Sequence, residues 1–587
     1  MAVCKKLVNS PDACVDEMLA GVAAAFPGLD LHAAHRVLLR KQDVPRNKVG
    51  ILSGGGSGHE PFCAGFVGRG MLGAAVAGSV FASPPPSHVL YAIRCLAEQG
   101  ASGVLAVVAN YTGDCLNFGL AVERARALGL AVEAVVVGED CALLDRGGGA
   151  GGAGRRGLCG LLFVYKLAGA LAEAGASLEA VAERARQVTA RMATLGVCLS
   201  PCSLPGAGPL FTLGPDEMEL GLGVHGEEGA FRLKLSSAHE VAEAMVARLA
   251  GALALAPGAR VAALLNNLGG TSQLEQALMG GELRAALERR GVAVERLYAG
   301  HLMTSLEMAG VQLSVLRLPD EEAEAAAWLA ALDEPTDAGA WPGCPLALPC
   351  ALPPTPAPQE LAHDEEGAGP ELPAAAAQRL LRCVEAAAQA LRKAESRCNL
   401  LDSGCGDGDC GSTLRRLADE AWGAARAGAL REARPARLLA WLSEAAERVM
   451  GGTSGAVYSL LLARAARSLA QEPSALYADA WARAWRASLY GLAHYSTARP
   501  GDRTLLDALE PACRAFEAAP KRDWEDVKGA LLSAADAAAR GCDATKDMEP
   551  RVGRASYVDR QRVQDVDAGA FGAAVWIRAV VEELCKD

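Results

Sequence analysis

A chain of 587 residues exceeds what one hydrophobic core can fill, so two to four domains of about 100 to 200 residues each are expected. Its residues are 51% hydrophobic and 21% charged, the balance of a globular protein with filled cores rather than a disordered one. A formal net charge of −12 argues against a nucleic-acid-binding surface, which needs clustered Lys and Arg, and leaves small anions open where backbone amides and a cation hold them.

The start, "MAVCKKLVNSPDACVDEML", lacks the uninterrupted apolar run of a secretory signal, and no later stretch reaches the ~18 apolar residues of a membrane span. A cytosolic protein without membrane or nucleic-acid partners is expected. The 18 cysteines fall in apolar and helical contexts with no CxxC pairs at zinc spacing, and read as reduced, mostly buried thiols.

The runs "KVGILSG", "GVLAVVANY", "AVEAVVVG", "RVAALLNNLG" and "VQLSVLRL" each end in Gly, Asn or a turn and alternate with helical stretches. This predicts two layered α/β lobes within 1–343, with ligands at the carboxyl ends of strands. A helical stretch over 159–195 is expected to separate them, with the boundary near 195–205. In "ILSGGGSGHEP" (51–61) a strand runs into three glycines and then Ser57, Gly58 and His59. Such a turn brings backbone amides close to a small polar ligand beside an imidazole, although a plain strand-to-helix turn fits equally well and GxGxxG is not met. Asp114 in "ANYTGDCLNFGLA" lies just past a strand end and fits either a general base or a helix cap. His225 in "ELGLGVHGEEG" stands between glycines, where core packing explains a histidine less well.

Residues 344–373, rich in Pro, Ala and acidic side chains without apolar period, predict an extended linker. Beyond it, over 374–587, blocks such as "ARLLAWLSEAAERVM" repeat apolar residues at three and four spacing, which predicts an all-α bundle or barrel with its chemistry in the loops. One loop, "NLLDSGCGDGDCGSTL" (399–414), crowds Asp402, Asp407 and Asp409 among glycines. Their repulsion is tolerated if a divalent cation sits among them, and hard oxygen ligands suit Mg²⁺; a solvated acidic turn is the alternative. "MGGTSGAVYSL" places glycines and hydroxyls ahead of a helix, suited to phosphate or to plain capping. "RPGDRTLLDAL" adds Arg503, able to hold a phosphate or pair with an Asp. No GxxxxGK[ST] occurs, so a P-loop is not the explanation.

Taken together, "KKLVN", "SGGGSGHEP", "NYTGD", "GRRGLCG", "ELGLG" and "NNLGG" in the first half, with "GDGDCG", "MGG", "PGDRT" and "GRASY" in the second, are collinear across nearly the whole chain. In this the sequence resembles the two-domain, ATP-dependent dihydroxyacetone kinase family, and within it the animal branch that adds FAD-AMP lyase (cyclizing) activity. The resemblance implies phosphorylation of dihydroxyacetone and glyceraldehyde by ATP, and cleavage of FAD to AMP and riboflavin 4′,5′-cyclic phosphate. It implies that His225 forms a hemiaminal with the substrate carbonyl, that Gly56, Ser57, Gly58 and His59 contact the triose, and that Asp114 takes the hydroxyl proton with help from His59. It further implies Mg²⁺ on Asp402, Asp407 and Asp409 for the kinase, and Mn²⁺ for the lyase. Nucleotide contacts are implied for Asp409, Cys410, Gly411, Ser412, Thr453, Ser454, Asp502, Arg503, Asp567, Ala568 and Gly569, as is a homodimer.

One departure bears on chemistry. The family typically carries Lys before "NYTGD", where this chain has Ala109. The expectation is a weakened triose kinase beside an intact lyase, with a non-catalytic regulatory protein as the alternative. Other departures are His301 and Leu302 in place of Thr and Phe, and Ala568 in place of Pro; the glycine-rich loop at 138–157 reads as a mobile insertion.

Overall fold

The structure, a computed structural model, describes residues 4–41, 46–142, 155–343, 369–404, 406–428, 433–552, 556 and 565–586. Most of the expected linker (344–368), the centre of the glycine-rich loop (143–154), Cys405 and nearly all of "GRASY" lie outside the described residues. The chain divides into two compact units, Met1–Thr355 and Pro356–Asp587.

The first unit opens with helix α1 (Cys14–Ala25) and builds one sheet from β1 (Leu29–His32), β2 (Val37–Arg40), β3 (Val49–Ser57), β4 (Ala74–Val80), β5 (Gly103–Ala109) and β6 (Val132–Val137). Their spatial order is β1-β2-β4-β3-β5-β6, with β4, β3, β5 and β6 parallel and the edge pair antiparallel. A parallel strand covered on both faces has no polar side to show, which is why β5 reads "GVLAVVA" and is buried throughout. Helices α2 (Pro86–Glu98) and α3 (Thr112–Ala127) cover one face through Val89, Ile93, Leu96, Phe118 and Val122.

Helix α4 (Leu161–Glu173), apolar but for Lys166 and its terminal Glu173, packs in one core with Ile51, Leu105 and Val107 of this sheet and Ala262 and Leu264 of the next. The stretch 159–195 is therefore not one helical run. It breaks after α4, restarts as α5 (Leu178–Ala190) under a Ser177 cap that accepts from the Ala180 amide, and ends in a strand, β7 (Met192–Cys198). All of β7 is buried, and a fully buried strand carries no alternation by which the sequence could tell it from a helix.

The second sheet adds β8 (Glu217–Leu220), β9 (Phe231–Lys234), β10 (Arg260–Asn267), β11 (Ala293–Gly300) and β12 (Gly310–Arg317) in the order β11-β10-β12-β7-β8-β9. Only β10 and β11 run parallel. Helices α6 (Ala238–Ala252) and α7 (Gln273–Arg289) both start with capping boxes, Ser237 with Glu240 and Ser272 with Glu275. Helix α8 (Glu322–Asp333) ends where the buried Lys166 amine donates to the carbonyls of Ala331 and Glu334, satisfying the helix terminus.

The second unit is helical in its described residues: α9 (Ala374–Asp402), α10 (Cys410–Arg426), α11 (Pro435–Met450), α12 (Gly452–Ala470), α13 (Ala478–Tyr495), α14 (Leu506–Ala518), α15 (Trp524–Ala544) and α16 (Ala568–Leu584). Each packs on the next, and α16 packs on α9. Small residues such as Ala508, Ala512, Ala534 and Ala538 fill the α14–α15 contact, allowing close approach. No described helix is long and apolar enough to cross a membrane.

Candidate functional sites

In the first unit, the carboxyl ends of β3 and β5 converge. Gly56 and Ser57 close β3, and Ser57 Oγ donates to the Gly78 carbonyl at 2.8 Å, tying the turn to β4. Gly58 follows at φ +99°, a conformation that L residues rarely adopt, and its amide donates to Glu60 at 3.0 Å. His59 is 1% exposed. Its Nδ1 lies 2.8 Å from the Thr304 carbonyl, an acceptor only, so Nδ1 carries the proton and Nε2 keeps a lone pair. That buried Nε2 has no hydrogen-bond partner among the described residues. Burial, then the neighbouring His225, pushes the His59 pKa down to about 3, so the ring stays neutral.

His225 meets His59 edge-on, with ring centroids 4.8 Å apart, although the two come from different sheets. Tyr111 and Phe81 complete its aromatic surround at 4.5 and 5.5 Å, and Phe81 stacks on His59 at 5.0 Å. Asp114 lies in the first turn of α3, 5% exposed, and accepts from Ser83 Oγ at 2.6 Å. Burial pushes its pKa up to about 6 against the pull of the Ser83 hydroxyl. The segment after β4 thus serves both groups, Phe81 under the histidine and Ser83 on the carboxylate. Ala109 ends β5 with its methyl in the core, 4% exposed.

The "NNLGG" turn supports this arrangement from behind. Asn266 holds Leu302, Met303 and the approach to Thr304 through three backbone contacts of 2.6 to 3.0 Å. Ser305 joins it to His225: its amide donates to Leu268, and its hydroxyl to the Val224 carbonyl at 2.7 Å. Of the two departures in this segment, Leu302 is a core side chain and His301 is exposed.

In the second unit, Asp402 closes α9 and Asp409 immediately precedes α10. Asp402, Asp407 and Asp409 offer carboxylate oxygens within 4.8 Å of one another, and form the one such group among the described residues that could hold a metal ion. Asp402 accepts from the Asp409 and Cys410 amides at 3.1 and 3.3 Å, which folds the loop back on the helix end. Three exposed or half-exposed carboxylates at this spacing, beside a helix N-terminus, fit a hard divalent cation that keeps waters and phosphate oxygens as further ligands. Burial pushes the Cys410 thiol far above its ordinary value.

Gly411 is buried, and Ser412 is engaged with Asn399, which accepts from its amide and donates to its hydroxyl, both at 3.0 Å. Arg416 donates to the Val449 and Met450 carbonyls at 2.8 Å, drawing the Gly451 turn towards α10; beyond that turn, Thr453 is exposed and Ser454 half-buried in the first turn of α12. Asp507 shapes the "PGDRT" turn by accepting from the Gly501 and Thr504 amides. There Arg503 is 3% exposed and donates to the Asp565 carbonyl at 2.7 Å, while its Nε and Nη1 make no hydrogen bond among the described residues. Nη1 stands 3.9 Å from Asp567, the N-cap of α16, which accepts from the Ala570 amide. Burial raises Asp567 to about 6 despite that amide and Arg503. Asp502 accepts from the Arg499 amide at 2.7 Å, and Ala568 and Gly569 form the first turn of α16.

Sequence reasoning missed Phe81, Ser83, Tyr111, Arg156, Glu227 and Thr304 as parts of the first site, and Asn399, Arg416 and Asp507 in the second. Tyr111, Arg156, Glu227, Asn399 and Asp507 lie inside quoted motifs, but nothing in the spacing tells which neighbour each one touches.

A Dak1 domain model matches residues 20–339, and a DAK2 domain model residues 404–582. The chain is 43% identical over 599 residues to "Triokinase/FMN cyclase" of Homo sapiens, covering 99% of each chain. It is similar along 99% of its length to the crystal structure of the dihydroxyacetone kinase from C. freundii in complex with AMP-PNP and Mg²⁺, at 32% identity and a TM-score of 0.65, covering 100% of that chain. Over 56% of its length it also resembles the dihydroxyacetone kinase operon co-activator DhaQ, at 31% identity and a TM-score of 0.52, covering 98% of that chain.

Proposed function

Because this chain belongs to the dihydroxyacetone kinase family, we propose that it phosphorylates dihydroxyacetone and glyceraldehyde with ATP and also splits FAD into AMP and riboflavin 4′,5′-cyclic phosphate. The observation that carries the triose half is the edge-on pairing of His225 with a neutral, buried His59 whose Nε2 has no partner among the described residues.

The lone-pair nitrogen of neutral His225 adds to the carbonyl carbon; a C–N bond forms, the C=O π bond opens, the oxygen gains a proton and the ring's second nitrogen gives up its single N–H proton. Glycerol has no carbonyl and cannot form this adduct. Asp114 then takes the proton of the terminal hydroxyl as that oxygen bonds to the γ-phosphorus and the bond to the bridging oxygen breaks, releasing ADP, with the lone pair of His59 Nε2 alongside. Gly56, Ser57 and Gly58 supply backbone contacts to the triose. In the helical unit, which we read as a closed barrel from its ring of neighbours, Asp402, Asp407 and Asp409 would hold Mg²⁺ for the kinase and Mn²⁺ for the lyase. Bound there, the metal neutralises charge on the phosphates, the main requirement of phosphoryl transfer. Arg503, with two buried donor nitrogens that make no hydrogen bond among the described residues, suits a phosphate oxygen. Asp409, Cys410, Gly411, Ser412, Thr453, Ser454, Asp502, Asp567, Ala568 and Gly569 complete the nucleotide contacts. We also infer a cytosolic homodimer; a monomer mass by light scattering would remove the dimer.

The acid limb of triose turnover tests Asp114. A carboxylate that is ionised only above about pH 6 makes kcat/KM fall as pH drops below that value. Ser83→Ala removes the hydroxyl that favours the charged form, so the limb moves up by about one pH unit. A limb unmoved in that variant would detach Asp114 from the proton transfer.

Ala109 favours a second reading, a lyase with impaired triose kinase. A buried methyl at the end of β5 supplies no ammonium to the transferring phosphoryl group. Ala109→Lys is expected to raise kcat/KM for dihydroxyacetone by about tenfold or more and leave FAD cleavage unchanged. No gain in a variant that melts like the parent would show that Ala109 is not limiting.

A further inference from the structure

His225 sits in a glycine-flanked turn of the second sheet, yet its chemistry requires a fixed place beside His59 of the first. The ring contacts with His59, Tyr111 and Phe81 orient its faces, and the backbone is anchored separately. The His225 amide donates to Glu227 Oε2 at 2.8 Å, and Glu227 Oε1 accepts from Arg156 Nη1 at 3.2 Å. Arg156 in turn donates through Nε to Asp140 at 2.7 Å and through Nη2 to the Gly221 carbonyl at 2.8 Å. All three nitrogens of the guanidinium are engaged, on partners before and after the long crossover between the sheets. The turn has been shaped around the pair: a Cβ at Gly223 would lie 1.7 Å from Glu227 Oε1 and 2.9 Å from Arg156 Nη1.

We propose that Arg156 is a positioning residue for triose capture, which, through Glu227, fixes the His225 turn against His59 and sets the charge that the imidazole experiences. The inference rests on the triose reading above. Arg156 does not touch the substrate; its planar fork clamps Asp140, Glu227 and Gly221, a geometry that a lysine cannot reproduce.

The groups facing His225 are Glu227 on its own turn, Arg156 from the segment before α4, His59 after β3 and Tyr111 before α3, with Asp140 and Glu139 behind Arg156. Burial holds the imidazole below its ordinary value, Glu227 opposes this and Arg156 adds to it. Removing Arg156 deletes a repelling cation and leaves Glu227 unpaired, so the imidazole protonates at higher pH. Removing the charge of Glu227 acts in the opposite direction. Only the neutral ring can add to a carbonyl.

The test follows the adduct by ¹³C NMR of carbonyl-labelled dihydroxyacetone on the full-length protein across pH, together with kcat/KM for the triose and FAD cleavage. Arg156→Gln is expected to lower adduct and kcat/KM at least tenfold at neutral pH and move the acid limb of adduct formation upward; Arg156→Lys does not restore it. Glu227→Gln, which keeps an acceptor for the His225 amide, moves the limb downward. FAD cleavage stays at the parent level in all three. A parent that forms no adduct removes the triose reading itself. A parent that forms adduct, with limbs unmoved in both Gln variants, overturns the positioning role alone. Should Arg156→Gln fail to fold, the sign of the Glu227→Gln shift decides.

Discussion

Asp407→Ala is expected to abolish both activities, lowering triose phosphorylation and FAD cleavage each by at least about 100-fold, the scale on which losing preorganised charge stabilisation acts. The reason is geometric. Asp402, Asp407 and Asp409 present oxygens within 4.8 Å of one another, and the cation for both nucleotides is proposed to sit there. Stability moves differently from activity. Without metal, removing one of three crowded carboxylates relieves part of their mutual repulsion. With Mg²⁺ and nucleotide present, the parent gains binding free energy that the variant lacks, and its melting temperature rises alone. Thermal melts with and without Mg-ATP, run beside the two activity assays, check this. A variant that keeps either activity would place its metal elsewhere.

His225→Ala is expected to separate the activities. Triose turnover falls by at least about 100-fold, because His225 is the group proposed to add to the carbonyl. FAD cleavage, assigned to the helical unit, stays at the parent level. The truncation also removes aromatic contacts with His59, Tyr111 and Phe81, a loss of about 1 to 2 kcal/mol that leaves the unit folded. Parallel loss of FAD cleavage would mean that the two chemistries share the histidine site.

Much of this arrangement was legible in the sequence, and what was not has physical causes. Strands β3, β5, β6, β10 and β12 announced themselves as apolar runs ending in turns. β7 did not, since "MATLGVC" is buried on both faces and sits between a helix and a proline-rich loop. The short strands β8 and β9, four residues each, gave no signal because their order comes from pairing, β8 with β7 and β9 with β8. The acidic loop was visible because like charges crowded into eight residues need an explanation. Pairings made by the fold were invisible: that His59 would give its Nδ1 proton to Thr304, 245 residues away, or that Ser83 would hold Asp114. The DhaQ likeness also shows why the fold alone does not settle activity. The chemistry has to be read from His225, Asp114 and the three aspartates.

The central claim is that one chain carries two separable sites. The most direct measurement is a product assay on purified protein, with dihydroxyacetone and Mg-ATP in one reaction and FAD with Mn²⁺ in the other, repeated for His225→Ala and Asp407→Ala. The expected result is triose phosphate in the first and AMP with riboflavin 4′,5′-cyclic phosphate in the second, the first lost in His225→Ala and both lost in Asp407→Ala. Cyclic phosphate without triose phosphate, restored by Ala109→Lys, would support the impaired-kinase reading. No product in either reaction would contradict the account and point to a regulatory protein on a kinase fold.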